Sequence, residues 1–97
     1  MESLVDKGLV KSIGVSNFNA QLLWDMMSYC KIKPVVNEIE LHPYNMQDKM
    51  IKFLKQQHIE PIAYAPLARG DDNSRIPNVL ENETIVRLAK KYSKSAG

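Results

Sequence analysis

Residues 12–17 read Ser12-Ile13-Gly14-Val15-Ser16-Asn17, and this stretch decides the fold. Its apolar part, Ser12 to Val15, predicts a short buried strand that ends at two polar residues. Two further stretches predict strands in the same way, namely Val35 to Glu40 and Ile59 to Ala65. The three strand starts are 23 and 24 residues apart, which leaves room for one helix and two short connections in each interval. The sequence therefore predicts a repeated βαβ unit with parallel strands.

Helices are predicted around these strands. Residues 2–7 resemble the last turns of a helix, with Gly8 at the C-cap position. Asn19, Asn45 and Asn82 are each expected to cap the start of a further helix. The apolar stripes of these three helices have three- and four-residue spacing. They are Leu22, Leu23, Met26, Met27 and Cys30 in the first, Met46, Met50, Phe53 and Leu54 in the second, and Ile85, Leu88, Ala89 and Tyr92 in the third.

The composition is typical of a soluble globular chain. The 97 residues are 44% apolar and 25% charged, which argues against disordered, collagen-like and disulfide-scaffold classes. A net charge of +2 is too small to indicate a nucleic-acid partner. The apolar runs are too short to span a membrane, and the first residues show no signal peptide. Together with the single cysteine, Cys30, these features predict a cytosolic protein.

Polar clusters follow each predicted strand, where ligands gather in parallel α/β folds. They are Ser16-Asn17, Glu38 to His42, and Tyr64 to Arg69. Each also has a structural interpretation. Ser16 and Asn17 could satisfy the backbone of their own turn. The two glutamates of the second cluster could be solvated or paired, and Tyr64 could belong to the core.

Other chemistry is disfavoured by spacing. His42 and His58 lack a nearby histidine or cysteine at the spacing of zinc ligands, so no metal site is predicted. Cys30 lies on an apolar stripe, which favours packing over a nucleophilic role.

Residues 69–81 are polar and rich in turn formers, and they predict a loop. The glycine fingerprint of dinucleotide-binding open sheets is absent, which favours a closed barrel.

Three motifs occur in order along the chain. Residues 4–18 read LVDKGLVKSIGVSNF, in which a helix end, a glycine and a basic residue precede a strand that ends in GVSNF. Residues 36–44 read VNEIELHPY, and residues 63–67 read AYAPL. In this order and spacing they resemble the aldo-keto reductase family, whose patterns at the second and third motifs are VNQIExHPY and AYSPL.

The resemblance implies a fold and a cofactor. The family folds as a TIM (β/α)8 barrel and transfers a hydride from NADPH to aldehydes and ketones. By this match, residues 1–97 form part of one NADP-dependent oxidoreductase domain, with the fifth, sixth and seventh strands of the barrel. A complete domain of this kind would take a small-molecule carbonyl substrate.

The resemblance also implies which residues bind the cofactor, NADPH or NADP⁺. Ser16 and Asn17 are expected to hold the nicotinamide carboxamide, and Tyr64 to stack on the nicotinamide ring. The segment Ala65 to Asp71, with Leu67 and Arg69, is expected to lie along the pyrophosphate, largely through backbone N–H groups.

Two departures from the family pattern affect this site. Glu38 stands where the family usually has glutamine, and a carboxylate can accept from the carboxamide but cannot donate to it. Its negative charge is expected to favour the oxidised, cationic ring. Ala65 replaces a serine, and Ala68-Arg69 replaces a glycine-serine pair. Backbone contacts can survive these two changes, whereas hydroxyl contacts cannot.

Catalytic residues are not expected in this chain. The family's tyrosine acid, lysine, aspartate and histidine lie on earlier segments, and the motif for the 2′-phosphate lies beyond Gly97. The isolated chain is therefore expected to be inactive. Because one face of its sheet would be open, it is also expected to be partly molten or self-associating. Two alternatives are a noncatalytic nucleotide-sensing relative and a stand-alone interaction fragment.

Overall fold

The computed structural model describes residues 1–69 and 76–97, which form an α/β fold. The elements, in chain order, are α1 (Glu2–Asp6), β1 (Gly14–Ser16), α2 (Ala20–Tyr29), β2 (Val36–Glu40), α3 (Asp48–Gln56), β3 (Glu60–Tyr64), a 3₁₀ turn (Val79–Glu81) and α4 (Glu83–Tyr92). The strands are parallel and lie in the order β1-β2-β3. Between β1 and β2 the register runs from Gly14 beside Val36 to Ser16 beside Glu38. The predicted strand–helix alternation is confirmed, although β1 begins two residues later than expected.

The chain divides into two compact units. The first comprises Met1–Ile39 and Gln47–Tyr64, and the second comprises Glu40–Met46 and Ala65–Gly97. The first unit contains β1, β3, α1, α2, α3 and most of β2. The second contains the turn that follows β2, the 3₁₀ turn and α4.

The core of the first unit lies on one face of the sheet. Leu23 of α2 and Leu54 of α3 pack there with Ile39 of β2 and with Ile59, which precedes β3. Within β2, Asn37 and Ile39 are buried whereas Glu38 is exposed, as the two-residue side-chain period of a strand requires. The other face of this sheet, which carries Glu38, is therefore outside that core.

Two predicted helix caps and one helix end are confirmed. The Asn19 side chain accepts a hydrogen bond from the Leu22 amide at 2.8 Å, and Asn82 accepts from two amides at the start of α4. Gly8 follows the end of α1 with φ +68°, the left-handed conformation that glycine adopts without strain.

The expectation that Asn45 caps α3 is wrong. Gln47 precedes the first residue of α3, Asp48, and provides no side-chain cap. The Asn45 amide group instead donates to the Glu40 carbonyl at 3.2 Å, and its backbone pairs with His42. Asn45 is thus used by a tight turn after β2, and the helix begins three residues beyond it.

The apolar stripes are narrower than predicted. Leu22 and Met46 are exposed, and α4 has no buried residue. Of the predicted loop over residues 69–81, residues 70–75 lie outside the described part of the chain. Its end forms the 3₁₀ turn, which Asn78 caps by accepting from the Leu80 amide at 3.0 Å. Pro61 is the second residue of β3, a sheet-edge strand, where the loss of one donor is tolerated.

An acidic side chain joins α1 to the segment after α2. Glu2 Oε1 accepts from the Ile32 amide at 2.8 Å and from the Lys31 amide at 2.7 Å. These backbone donors, that of Ile32 first, hold the pKa of the Glu2 carboxyl below its usual value.

Candidate functional site

The loop that follows β1 is held by the backbone of β2. The backbone N–H of Asn17 donates to the backbone carbonyl of Glu38 at 2.8 Å, and the Ser16 hydroxyl donates to the same oxygen at 3.1 Å. Asn17 has φ +57°, a left-handed conformation that asparagine tolerates better than most residues. Its side-chain Nδ2 donates to Ser16 Oγ at 3.2 Å, so that the two polar side chains form one network.

Ser16 and Glu38 present their side chains on the same face of the sheet. They are paired in the β1–β2 register, and both side chains are exposed. The face is the one opposite to the Leu23–Leu54 core. No lysine or arginine among residues 1–69 and 76–97 forms an ion pair with the Glu38 carboxylate.

Tyr64 lies at the same edge and on the same face. The Glu60 amide donates to the Val35 carbonyl at 2.8 Å, which in a parallel ladder places Glu60 beside Val36. Two residues further along both strands, Ile62 is beside Glu38. Because side chains alternate with a period of two, Tyr64 shares the face of Ile62, and it is partly buried. Ser16 and Tyr64 end β1 and β3, Asn17 follows Ser16, and Glu38 lies beside Ser16 in the middle of β2. Ser16, Glu38 and Tyr64 thus share one face toward the carboxyl edge of the sheet.

The Ser16–Asn17 pair has hydrogen-bonding capacity left for a ligand. Ser16 Oγ donates once and accepts once, which leaves one lone pair. Asn17 Nδ2 uses one of its two hydrogens on Ser16. The pair can therefore accept from an NH₂ group and donate to a carbonyl oxygen, the two demands of a primary carboxamide. The hydrogen-bonding groups of a primary carboxamide are therefore complementary to those left on this pair.

Asn37 supports this loop, and sequence reasoning did not single it out. Its side chain is fully buried and bonds to both backbone groups of Phe18. Nδ2 donates to the Phe18 carbonyl at 2.8 Å, and Oδ1 accepts from the Phe18 amide at 3.4 Å. The available signal was a polar residue at an inward-facing position of a predicted buried strand, because such a residue needs a partner.

The predicted pyrophosphate segment, Ala65 to Asp71, lies in the second unit as far as residue 69, and its last two residues, 70 and 71, are outside the described residues. Ala65, Ala68 and Arg69 have φ values of +47°, +55° and +58°, which is unusual for residues other than glycine. The Ala68 amide donates to the Ala65 carbonyl at 2.8 Å and is therefore committed to a turn. Leu67 and Arg69 are exposed.

His42 has a structural role in the turn after β2. Its Nδ1 accepts from the Tyr44 amide at 3.3 Å, which leaves Nε2 to donate to Glu40 Oε1, also at 3.3 Å. The ring is buried. Among residues 1–69 and 76–97, no group of three or more histidine, cysteine or acidic side chains could hold a metal ion. None of the described helices has the length and apolar character that a membrane span requires.

Comparison with known proteins identifies the class to which this parallel α/β arrangement belongs. The chain is similar to the aldose reductase of Giardia lamblia, with a TM-score of 0.86 and 42% sequence identity over 99% of this chain. The match covers 31% of the Giardia chain. The three parallel strands and their helices thus correspond to part of a TIM barrel.

Sequence comparison gives the family. The model of the aldo/keto reductase family matches residues 1–94, and the chain belongs to this family. It is 47% identical to aldose reductase C of Dictyostelium discoideum over 98% of this chain. It is 45% identical to the NAD(P)H-dependent D-xylose reductase of Pyricularia oryzae over 100% of this chain. The chain spans 28% and 32% of the lengths of these two relatives.

Proposed function

We propose that this chain supplies the nicotinamide-binding side of an NAD(P)H-dependent carbonyl oxidoreductase barrel. Residues 1–97 would form part of the NADP-binding domain, and the activity would belong to the complete barrel. The relatives are named as aldose and D-xylose reductases, which supports a small carbonyl compound as the substrate. When bound, the dinucleotide supplies the hydride for the carbonyl carbon.

One observation carries the proposal. Ser16 and Asn17, tied to the Glu38 carbonyl, offer a lone pair and an amide hydrogen at the edge where Tyr64 lies on the same face. Directional hydrogen bonds prevent rotation of a carboxamide, and a flat aromatic side chain selects the orientation of a ring. In this role Ser16 and Asn17 orient the ring, and Tyr64 supports one of its faces.

The remaining cofactor contacts follow the same proposal. Ala65, Leu67, Arg69 and Asp71 would line the pyrophosphate through their backbone. Because the Ala68 amide is used within the turn, it would not contribute a donor. Glu38 would lie beside the carboxamide, and none of the described residues is assigned as the proton donor.

The test uses a complete barrel, in which this chain takes the place of the aligned segment of the Dictyostelium relative. We expect Tyr64→Leu to weaken NADPH binding about tenfold, because stacking of a base on an aromatic ring contributes about 1–3 kcal/mol. Tyr64→Phe should retain most of the affinity. Equilibrium titration followed by cofactor fluorescence measures both.

Tyr29→Leu is the matched control, because Tyr29 is an exposed tyrosine on α2, on the other side of the core. It should leave the affinity unchanged. If Tyr64→Leu binds NADPH as tightly as the parent while the barrel remains folded, the proposed function is wrong.

A further inference from the structure

A carboxylate without an ion-pair partner among residues 1–69 and 76–97 lies on the face that we assign to the nicotinamide. Glu38 projects from the middle of β2 onto the face of Ser16 and Tyr64, and its side chain is exposed. It forms no ion pair with any lysine or arginine in the described part of the chain. Its negative charge is therefore not compensated by a neighbouring cation there.

The carboxylate is also not needed to hold the carboxamide. Ser16 Oγ has a lone pair for the NH₂ group, and Asn17 Nδ2 has a hydrogen for the oxygen. The Glu38 backbone carbonyl, and not its side chain, anchors the loop. The effect of this side chain on a bound ring is therefore chiefly electrostatic.

We propose that Glu38 makes the site discriminate between the two oxidation states of the nicotinamide. This inference rests on the proposed function. The oxidised ring is a cation and the reduced ring is neutral, so a nearby carboxylate attracts the oxidised form. A neutral amide at the same position would lack this preference.

Preferential binding of the oxidised form has a thermodynamic consequence. The equilibrium between bound reduced and bound oxidised cofactor shifts toward the oxidised form by the ratio of the two affinities. Glu38 therefore makes the bound reduced cofactor a stronger hydride donor than it would be beside glutamine. This is a tuning role, and Glu38 is a specificity-determining residue and not a proton donor.

The experiment compares dissociation constants for NADP⁺ and NADPH in the complete barrel and in its Glu38→Gln variant. The substitution keeps the size and removes the charge. We expect the preference for NADP⁺ over NADPH to fall by about fivefold at about 0.1 M salt. At about 1 M salt the difference between the two proteins should be smaller, because salt screens the charge wherever water reaches the carboxylate.

Asp25→Asn provides the matched control. Asp25 is an exposed carboxylate on α2, so the variant has the same change in net charge away from the sheet edge. Its ratio of dissociation constants should equal that of the parent. An equal shift in this variant would overturn the inference, since the effect would then reflect net charge alone.

Three other outcomes separate the inference from the proposed function. An unchanged ratio in Glu38→Gln, with binding still dependent on Tyr64, overturns the inference and leaves the function intact. Equal weakening of both forms also overturns it, because Glu38 would then act as a hydrogen-bonding group. Binding that does not depend on Tyr64 overturns the proposed function, and the inference with it.

Discussion

At the scale of single residues, Asn37 and Glu38 both form hydrogen bonds to the loop that follows β1. Asn37 points into the core, where its amide group satisfies the amide and carbonyl of Phe18. The next residue points to the opposite face, while its carbonyl accepts from Ser16 and Asn17. The loop between β1 and α2 is therefore bonded to β2 by a side chain on one side and by the backbone on the other.

Asn37→Leu tests the side-chain half of this arrangement. Leucine has the same number of side-chain heavy atoms and the same branching, but it leaves the partly buried Phe18 amide and carbonyl without these partners, and an unsatisfied buried group costs up to about 1–3 kcal/mol. We expect a lower urea midpoint for the complete barrel and weaker NADPH binding. Hydrogen exchange measures the local effect, which should be largest at the Phe18 amide.

Amides of α3 serve as the internal reference for this variant. Helix α3 packs in the core through the Leu54 side chain, and its backbone amides do not bond to Asn37. If exchange accelerates equally at Phe18 and throughout α3, the substitution acts on global stability and Asn37 has no specific role in positioning the loop.

At the scale of elements, the approach of β1 to β2 depends on the absence of a side chain at residue 14. A Cβ atom built on Gly14 would lie 2.3 Å from Val36 Cγ2 and 3.1 Å from the Val36 carbonyl oxygen. The requirement is one of space, because Gly14 does not have a left-handed backbone. Ser16 lies two residues further along the same strand, so the strand spacing at Gly14 affects the position of the site.

Gly14→Ala should destabilise the protein by about 1–3 kcal/mol, the usual range for overpacking. Val36→Ala removes the colliding methyl group, so the double variant should lose less stability than the sum of the two single variants. The residual contact with the Val36 carbonyl should keep the rescue incomplete. Urea unfolding of the complete barrel and its three variants measures the coupling energy.

Gly8→Ala is the control for this cycle. A Cβ at Gly8 would meet no atom within 4 Å, and its cost comes from the left-handed backbone alone. The changes in unfolding free energy caused by Val36→Ala and by Gly8→Ala should therefore be additive. Additivity in the Gly14 pair as well would show that the close contact has no energetic effect.

At the scale of the whole molecule, each of the two units leaves large apolar side chains exposed. In the first unit, Ile62 on the open sheet face is 44% exposed, and Trp24 on α2 is 59% exposed. In the second, Leu88 and Tyr92 of α4 are 45% and 64% exposed. Exposed apolar surface of this kind favours association with other molecules or with further parts of a barrel.

The isolated 97-residue chain should therefore self-associate or unfold without a sharp transition. Sedimentation velocity over a range of concentrations should show a rising average mass. Ile62→Thr, which keeps a β-branched residue in the strand, should reduce that association. Leu9→Thr removes more exposed apolar surface, since Leu9 is 69% exposed, but it does so outside the sheet and should have a smaller effect. A dilute monomer with one cooperative thermal transition would contradict this prediction.

Much of the fold was predictable because its signals are local. Asn19 and Asn82 cap helices through bonds to residues two or three positions away, and Gly8 ends α1 through its own backbone freedom. Asn45 misled the prediction because its side chain bonds backward to Glu40, and a competing turn of this kind uses the same residue types as a helix cap. Leu22 misled it because residue spacing does not fix where an apolar stripe ends: Leu23 is buried and Leu22, the next residue around the helix, is exposed.

The site was predictable only in part. The motifs that resemble the aldo-keto reductases located Ser16, Asn17 and Tyr64, and the parallel order of the strands places them at one edge. The roles of these residues stay predictions until cofactor binding is measured. Asn37 was missed, because its partner, Phe18, lies 19 residues away in the sequence.

The amino-acid sequence by itself determined the strand–helix alternation, the family and the residues that follow each strand, since all of these depend on nearest neighbours and short motifs. The tertiary structure alone decided which faces those residues share, that Gly14 must lack a side chain, and that Asn37 bonds to Phe18. These features depend on the register of β1, β2 and β3, which is set by hydrogen bonds and packing between residues distant in the chain.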